Sequence, residues 1–145
     1  MKKYKFTFLC NLFVCICLFG CSSAEGVALD DLTIENNSSP VMHLLDDLPY
    51  SGRVFQYKEG TEFLSVEFYL LDGVYNGAYA TYYPGGLPKH TTFFDKGVLN
   101  GLEEHYYENG QLKESVNYAQ GKFNGKRMVY WSNGILKEQN LFSNG

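Results

Sequence analysis

The chain has 145 residues, a formal net charge of −4, and 15 Gly, 12 Tyr and 11 Phe. That length suits one ordinary domain, and the acidic balance excludes a binder that neutralises nucleic-acid phosphates. Tyrosine and glycine at these levels predict aromatic strands separated by glycine turns.

Lys2, Lys3 and Lys5 make a positive leader, and residues 6–19 are apolar apart from Thr7 and Asn11. Such a stretch falls short of the ~20 residues of a membrane-spanning helix and suits the apolar region of a secretory signal. It ends Leu18-Phe19-Gly20-Cys21. This resembles the lipobox of bacterial lipoproteins, with Leu at −3, a small residue at −1 and a cysteine that becomes the lipid-bearing N-terminus. The resemblance implies a signal peptide over 1–20, lipidation of Cys21 and a membrane anchor in the cell envelope. Ser22 supplies no acidic retention signal, so the outer membrane is expected in a bacterium with two membranes. Cys10, Cys15 and Cys17 fall in the removed segment, which leaves the mature chain no disulfide and no thiolate ligand.

Residues 21–48 read as an acidic flexible tether. Six acids (Glu25, Asp30, Asp31, Glu35, Asp46, Asp47) precede Arg53, the first base after the leader, and 36–40 is a loop-type Asn-Asn-Ser-Ser-Pro cluster. Val41, Leu44, Leu45 and Leu48 have helical spacing, so a two-turn amphipathic helix covering the first edge of the domain stands beside plain disorder.

Residues 49–145 form a repeat domain. Copies of equal length run over 73–96, 97–120 and 121–144 without a gap between them, and 50–72 is a degenerate earlier copy. Invariant positions include Gly77/Gly101/Gly125, Gly86/Gly110/Gly134, Tyr82/Tyr106/Tyr130 and Lys89/Lys113/Lys137, while Tyr83/Tyr107/Trp131 stays aromatic. Each copy holds two strand-like runs, at 78–83 and 87–94 in the first. A turn bearing Pro-Gly-Gly, Glu-Asn-Gly or Ser-Asn-Gly separates them, and a seven-residue segment links one copy to the next. Asn-Gly offers adjacent residues for a tight left-handed turn. The predicted fold is all-β: an elongated single-layer antiparallel meander of 24-residue hairpins, with aromatic columns on its faces. Gly145 begins a further copy, so Ile135 to Phe142 reads as an edge strand, open to self-association or simply frayed.

The spacing G-x-x-N-G-x4-Y-[YW]-x2-G, with Lys three residues on, resembles the MORN-variant repeat of bacterial proteins labelled YwqK-type antitoxins. It covers 73–145 well and 50–72 loosely. The resemblance implies an elongated hairpin sheet with no catalytic site and, in antitoxin-labelled members, binding and neutralisation of a toxin protein.

No P-loop, dinucleotide fingerprint, nucleophile elbow or His-Glu-x-x-His is present in the sequence. Glu103 and His105 share one strand face, with His105 read as a solvated residue, and His43 with Asp46 and Asp47 is an incomplete ligand set. No catalytic residue, cofactor or metal is assigned. The expectation is a non-catalytic envelope lipoprotein that binds a protein partner, with a toxin as the narrower form. Tyr83, Tyr107, Trp131, Lys89, Lys113 and Lys137 are its binding surface, and the six glycines of the two invariant columns above are structural turns. A structural envelope scaffold and a cell-wall or carbohydrate-binding module are the competing readings.

The anchor is tested by Cys21→Ser. The variant is expected to leave the membrane fraction unprocessed and unlipidated; a membrane-bound, normally processed variant would overturn the lipobox reading.

Overall fold

The structure, a computed structural model, describes residues 26–36 and 39–143; the signal segment and Cys21 lie outside them. In chain order the strands are β1 (Gly26–Ala28), β2 (Thr33–Glu35), β3 (Met42–Leu45), β4 (Leu48–Pro49), β5 (Gly52–Tyr57), β6 (Leu64–Leu71) and β7 (Val74–Tyr82). They continue with β8 (Pro88–Asp95), β9 (Val98–Leu99), β10 (Gly101–Tyr106), β11 (Leu112–Ala119), β12 (Lys122–Tyr130) and β13 (Leu136–Phe142). A 3-10 turn, Leu29–Asp31, follows β1. The fold is all-β, an open sheet in the order β1-β5-β6-β7-β8-β10-β11-β12-β13 with β9 paired to β8. Every neighbouring pair from β5 to β13 is antiparallel, and β1 joins in parallel. The degenerate copy forms a hairpin like the others, from β5 and β6.

The two kinds of turn exchange the roles assigned to them from sequence. Copies are joined by two-residue turns in which both residues are left-handed: Asp72-Gly73 (φ 50 and 80), Lys96-Gly97 (49 and 82) and Gln120-Gly121 (52 and 76). These, rather than a seven-residue link, are the tight turns whose twist matches a hairpin. Within each copy the loop is longer, and only its glycine is left-handed, at Gly86, Gly110 and Gly134. Gly110 N–H donates to the Tyr107 carbonyl at 2.9 Å, and Tyr107 N–H donates to the Gln111 carbonyl at 2.8 Å. Asn109 and Asn133 instead accept from the backbone N–H two residues on, at 3.1 Å in both cases. That local bond favours an ordinary turn closed by one left-handed glycine, with the register shift that follows it in each hairpin.

Register then lines residues up across the sheet. One row runs Gln56, Val66, Thr81, His90, His105, Glu114, Val129 and Glu138, each paired with the next. A second row on the same face runs Val54, Phe68, Tyr79 and Thr92. It holds the core, where Val54, Phe68 and Leu70 are buried and Val27, Leu29, Leu32, Tyr50, Val66, Tyr75 and Tyr79 pack around them. Farther along, Val116 is buried beside Ser115, although adjacent strand residues face opposite sides.

The segment read as a flexible tether is a correction. Residues 26–36 and 39–48 fold onto the repeat domain instead. Val27 and Leu29 from the β1 stretch and Leu32 after it cover the Val54–Phe68 face that a single-layer sheet leaves uncovered. β2, β3 and β4 form a separate small sheet. The helical spacing of Val41 to Leu48 resolves as strand, turn and strand, because Asp46 and Asp47 adopt φ of 52 and 64 and fold β4 back on β3. The acids did not prevent docking because Asp30, Asp31, Asp46 and Asp47 all remain exposed while Leu32, Met42, Leu44 and Leu45 between them are partly buried. His43 fastens this segment: it is buried, its backbone N–H donates to the Gly73 carbonyl at 2.7 Å, and its Nδ1 lies 3.1 Å from the same oxygen. A carbonyl can only accept, so Nδ1 carries the proton. That arrangement also removes His43, Asp46 and Asp47 as a ligand set on one helical turn.

All six glycines assigned to turns have positive φ, from 81 to 125, but only Gly86, Gly110 and Gly134 lie in turns. Gly77, Gly101 and Gly125 are a correction: they are strand residues of β7, β10 and β12, paired with Phe94, Tyr118 and Phe142, because the turn between copies is made four residues earlier, at Gly73, Gly97 and Gly121. At Gly125 (φ 95) an added Cβ would sit 3.8 Å from the nearest atom, so the Cβ itself fits and the first penalty is backbone strain. Gly125→Val is expected to cost about 1–2 kcal/mol, against roughly 0.5 kcal/mol or less for the exposed Lys126→Ala. Equal shifts in urea melts would contradict the left-handed assignment.

Candidate functional site

Three equal turns build the candidate surface. Each ends a strand with an aromatic residue, crosses the loop, and re-enters through a bulge that skips one residue: Tyr82 pairs with Pro88, Tyr106 with Leu112 and Tyr130 with Leu136. The skipped residue is the invariant lysine. Its ammonium hangs over the ring at the start of the turn: Lys89 over Tyr83 at 6.0 Å, Lys113 over Tyr107 at 5.8 Å and Lys137 over Trp131 at 4.4 Å. The six residues selected from sequence are thus brought together as three rungs at one end of the strands. Each exposed cation–π contact contributes roughly 0.5–1 kcal/mol, most for Trp.

The rungs are not equivalent. Tyr83 donates its hydroxyl to the Tyr106 carbonyl at 2.8 Å, and Tyr107 donates to the Tyr130 carbonyl at 2.9 Å. Each tyrosine therefore fastens its own repeat to the next, and both rings are half-buried. Trp131 is 51% exposed. Of the three rings, that of Trp131 is the most available for contact, and its lysine lies nearest.

Two features escaped sequence reading. Tyr69 and Phe93, separated by one repeat, expose large aromatic surface together with Leu102. The glycines opposite them leave room for those side chains: a Cβ on Gly77 would meet Tyr69 Cβ at 3.4 Å, and one on Gly101 would meet Phe93 Cβ at 3.5 Å. The signal was present, since Phe93 directly precedes the aligned aromatic column Phe94/Tyr118/Phe142, but its exposure depends on which face the neighbouring elements cover.

The second is His90. Its ring stacks on His105 with centroids 4.4 Å apart and planes 16° from parallel. Its Nε2 lies 2.8 Å from Glu103 Oε1, and His105 Nε2 lies 3.7 Å from the same oxygen. His105 keeps 41% of its side chain in solvent, and it also stands against His90 and Glu103 rather than alone on the strand face. Burial, then the neighbouring His90, holds its pKa below the ordinary histidine value, with Glu103 opposing. The Tyr118 phenol is pushed up to about 12, first by burial and then by the Glu103 carboxylate. Tyr82 is likewise pushed up to about 12, by burial and by its 3.0 Å hydrogen bond to Glu67. On the other side Glu67 holds Arg53 at 2.6 Å.

No family model, curated protein or solved structure matches the chain.

Proposed function

We propose that this chain is a non-catalytic cell-envelope lipoprotein that binds another protein through the lysine–aromatic rungs at one end of its hairpins. The observation that carries this reading is the threefold Tyr83–Lys89, Tyr107–Lys113 and Trp131–Lys137 ladder. Its first two rungs tie repeat to repeat, while Trp131 keeps half of its surface in solvent. An accessible Trp beside a cation has the character of an interface anchor, where aromatic and cationic groups carry most of the binding energy. Neutralisation of a toxin is the narrower form of the proposal. It rests on the resemblance of the repeat spacing to the antitoxin-labelled repeat, which is analogy of pattern rather than of site. Membrane attachment through Cys21 rests on the lipobox resemblance.

Exposed indole also stacks on sugars, which keeps a carbohydrate-binding reading in play for the same residue. One experiment separates the two. A photo-crosslinking benzoylphenylalanine at position 131 is expected to give one discrete protein adduct in intact cells. The same group at Val98, which lies at the opposite ends of the strands, is expected to give none. Retention on cell-wall glycan that is lost with Trp131→Ala, without any protein adduct, would overturn the protein-binding proposal in favour of the carbohydrate reading.

A further inference from the structure

The two neighbouring rows on this face bring three repeat positions together at every junction between hairpins. They are the eighteenth residue of one copy and the seventh and ninth of the next. At the first junction these are Val66, Tyr79 and Thr81, with Val66 paired to Thr81. At the third they are Glu114, Arg127 and Val129, and Arg127 Nε holds Glu114 Oε1 at 2.6 Å. The sheet thus closes this junction equally well around a mostly apolar set or an ion pair. At the middle junction the same positions hold His90, Glu103 and His105, with the two histidines directly paired. Nothing in the scaffold requires two imidazoles facing one carboxylate there.

We propose that His90, Glu103 and His105 form a binding site for a divalent transition metal of the zinc class, with at least one coordination position open to solvent. Both Nε2 atoms face Glu103 Oε1, at 2.8 and 3.7 Å, and the three donor atoms all lie within 4.8 Å of one another. Zinc–nitrogen and zinc–oxygen bonds of about 2.0–2.2 Å at tetrahedral angles put donors about 3.3 Å apart. The two separations bracket that value. The rings are nearly parallel, so coordination requires His105, the more exposed of the two, to turn about its Cβ–Cγ bond. Tyr79 packs against His90 on its other side, with ring centroids 6.0 Å apart.

Ligand chemistry selects the metal. Two imidazoles with one carboxylate suit zinc, cobalt, nickel or copper, whereas magnesium and calcium demand oxygen-rich shells. Three protein ligands, with His105 41% exposed, leave room for water or for a ligand from a partner. Because the ligands come from β8 and β10, an ion would also tie one hairpin to the next.

The test uses the full-length chain in detergent, stripped with EDTA, with its four cysteines alkylated because free thiols bind zinc themselves. Titration with zinc chloride in a calorimeter is expected to show one ion per chain at micromolar affinity or better, with a rise in melting temperature and no response to magnesium. His105→Gln is expected to weaken binding at least tenfold. The triple variant H90E/E103R/H105V, which installs the residues of the neighbouring junction, is expected to fold and to lose the site. Absence of saturable zinc binding by the unaltered chain would overturn the proposal. So would unchanged affinity in either variant, and His105→Gln decides alone if the triple variant fails to fold.

Discussion

Left-handed pairs at the repeat boundaries are the constraint on which the rest of the sheet depends. Asp72-Gly73, Lys96-Gly97 and Gln120-Gly121 place an ordinary L-residue and a glycine at φ between 49 and 82. The L-residue costs of order 1 kcal/mol in that conformation. In return the turn fixes which residue of one hairpin faces which residue of the next. Shifting one of these turns by a residue would turn the next strand's faces over at that junction, breaking the facing of Val66 with Thr81, of His90 with His105 or of Glu114 with Val129. The lysine–aromatic rungs depend on the other turn type, whose single extra residue lifts each lysine out of the ladder and over the ring.

An open one-layer sheet has too little interior to stabilise itself by burial alone, and this chain meets the difficulty differently at its two ends. The first hairpins are covered by the segment before them. Val27, Leu29 and Leu32 pack against Val54, Phe68 and Leu70, while His43 makes ring contacts with Phe68 and Tyr75. The later hairpins rely on cross-strand pairs instead, with Tyr118, Phe123 and Phe142 in ring contact and Arg127 between Glu114 and Glu138. Aromatic pairs of this kind contribute roughly 0.5–1.5 kcal/mol beyond the area they bury. Surface-type ion pairs contribute less, about 0–1 kcal/mol. The covered end is therefore the more firmly held, and the rung with the exposed Trp131 lies at the other.

The hairpins were legible because each copy repeats glycine, aromatic and lysine at fixed offsets, and pattern at that scale is insensitive to local detail. Tyr83, Tyr107 and Trp131 could be selected with their lysines for the same reason. The covering segment was not legible. Its acids and its Asn-Ser-Pro cluster have the composition of a linker. The destination of Val27 and Leu32 is set by a surface that exists only once β5 and β6, later in the chain, have paired. His90 was missed for a related reason. It stands one residue after an invariant lysine, in a position filled by Glu114 and Glu138 in the later copies. Only the pairing of β8 with β10 shows that it faces His105. Asn109-Gly110 misled in the opposite direction, since the dipeptide favoured for a two-residue turn sits in the longer loop and bonds to its own backbone.

Register is the claim on which the rungs, the row across the sheet and the histidine pair all rest, and it can be measured directly. Nuclear Overhauser contacts between backbone protons of facing residues, recorded on the isotopically labelled protein, report which residues pair. They should connect 66 with 81, 90 with 105 and 114 with 129, the same pairing recurring once per copy. Contacts displaced by one or more residues at any of these junctions, such as 90 with 104 or 106, would contradict it.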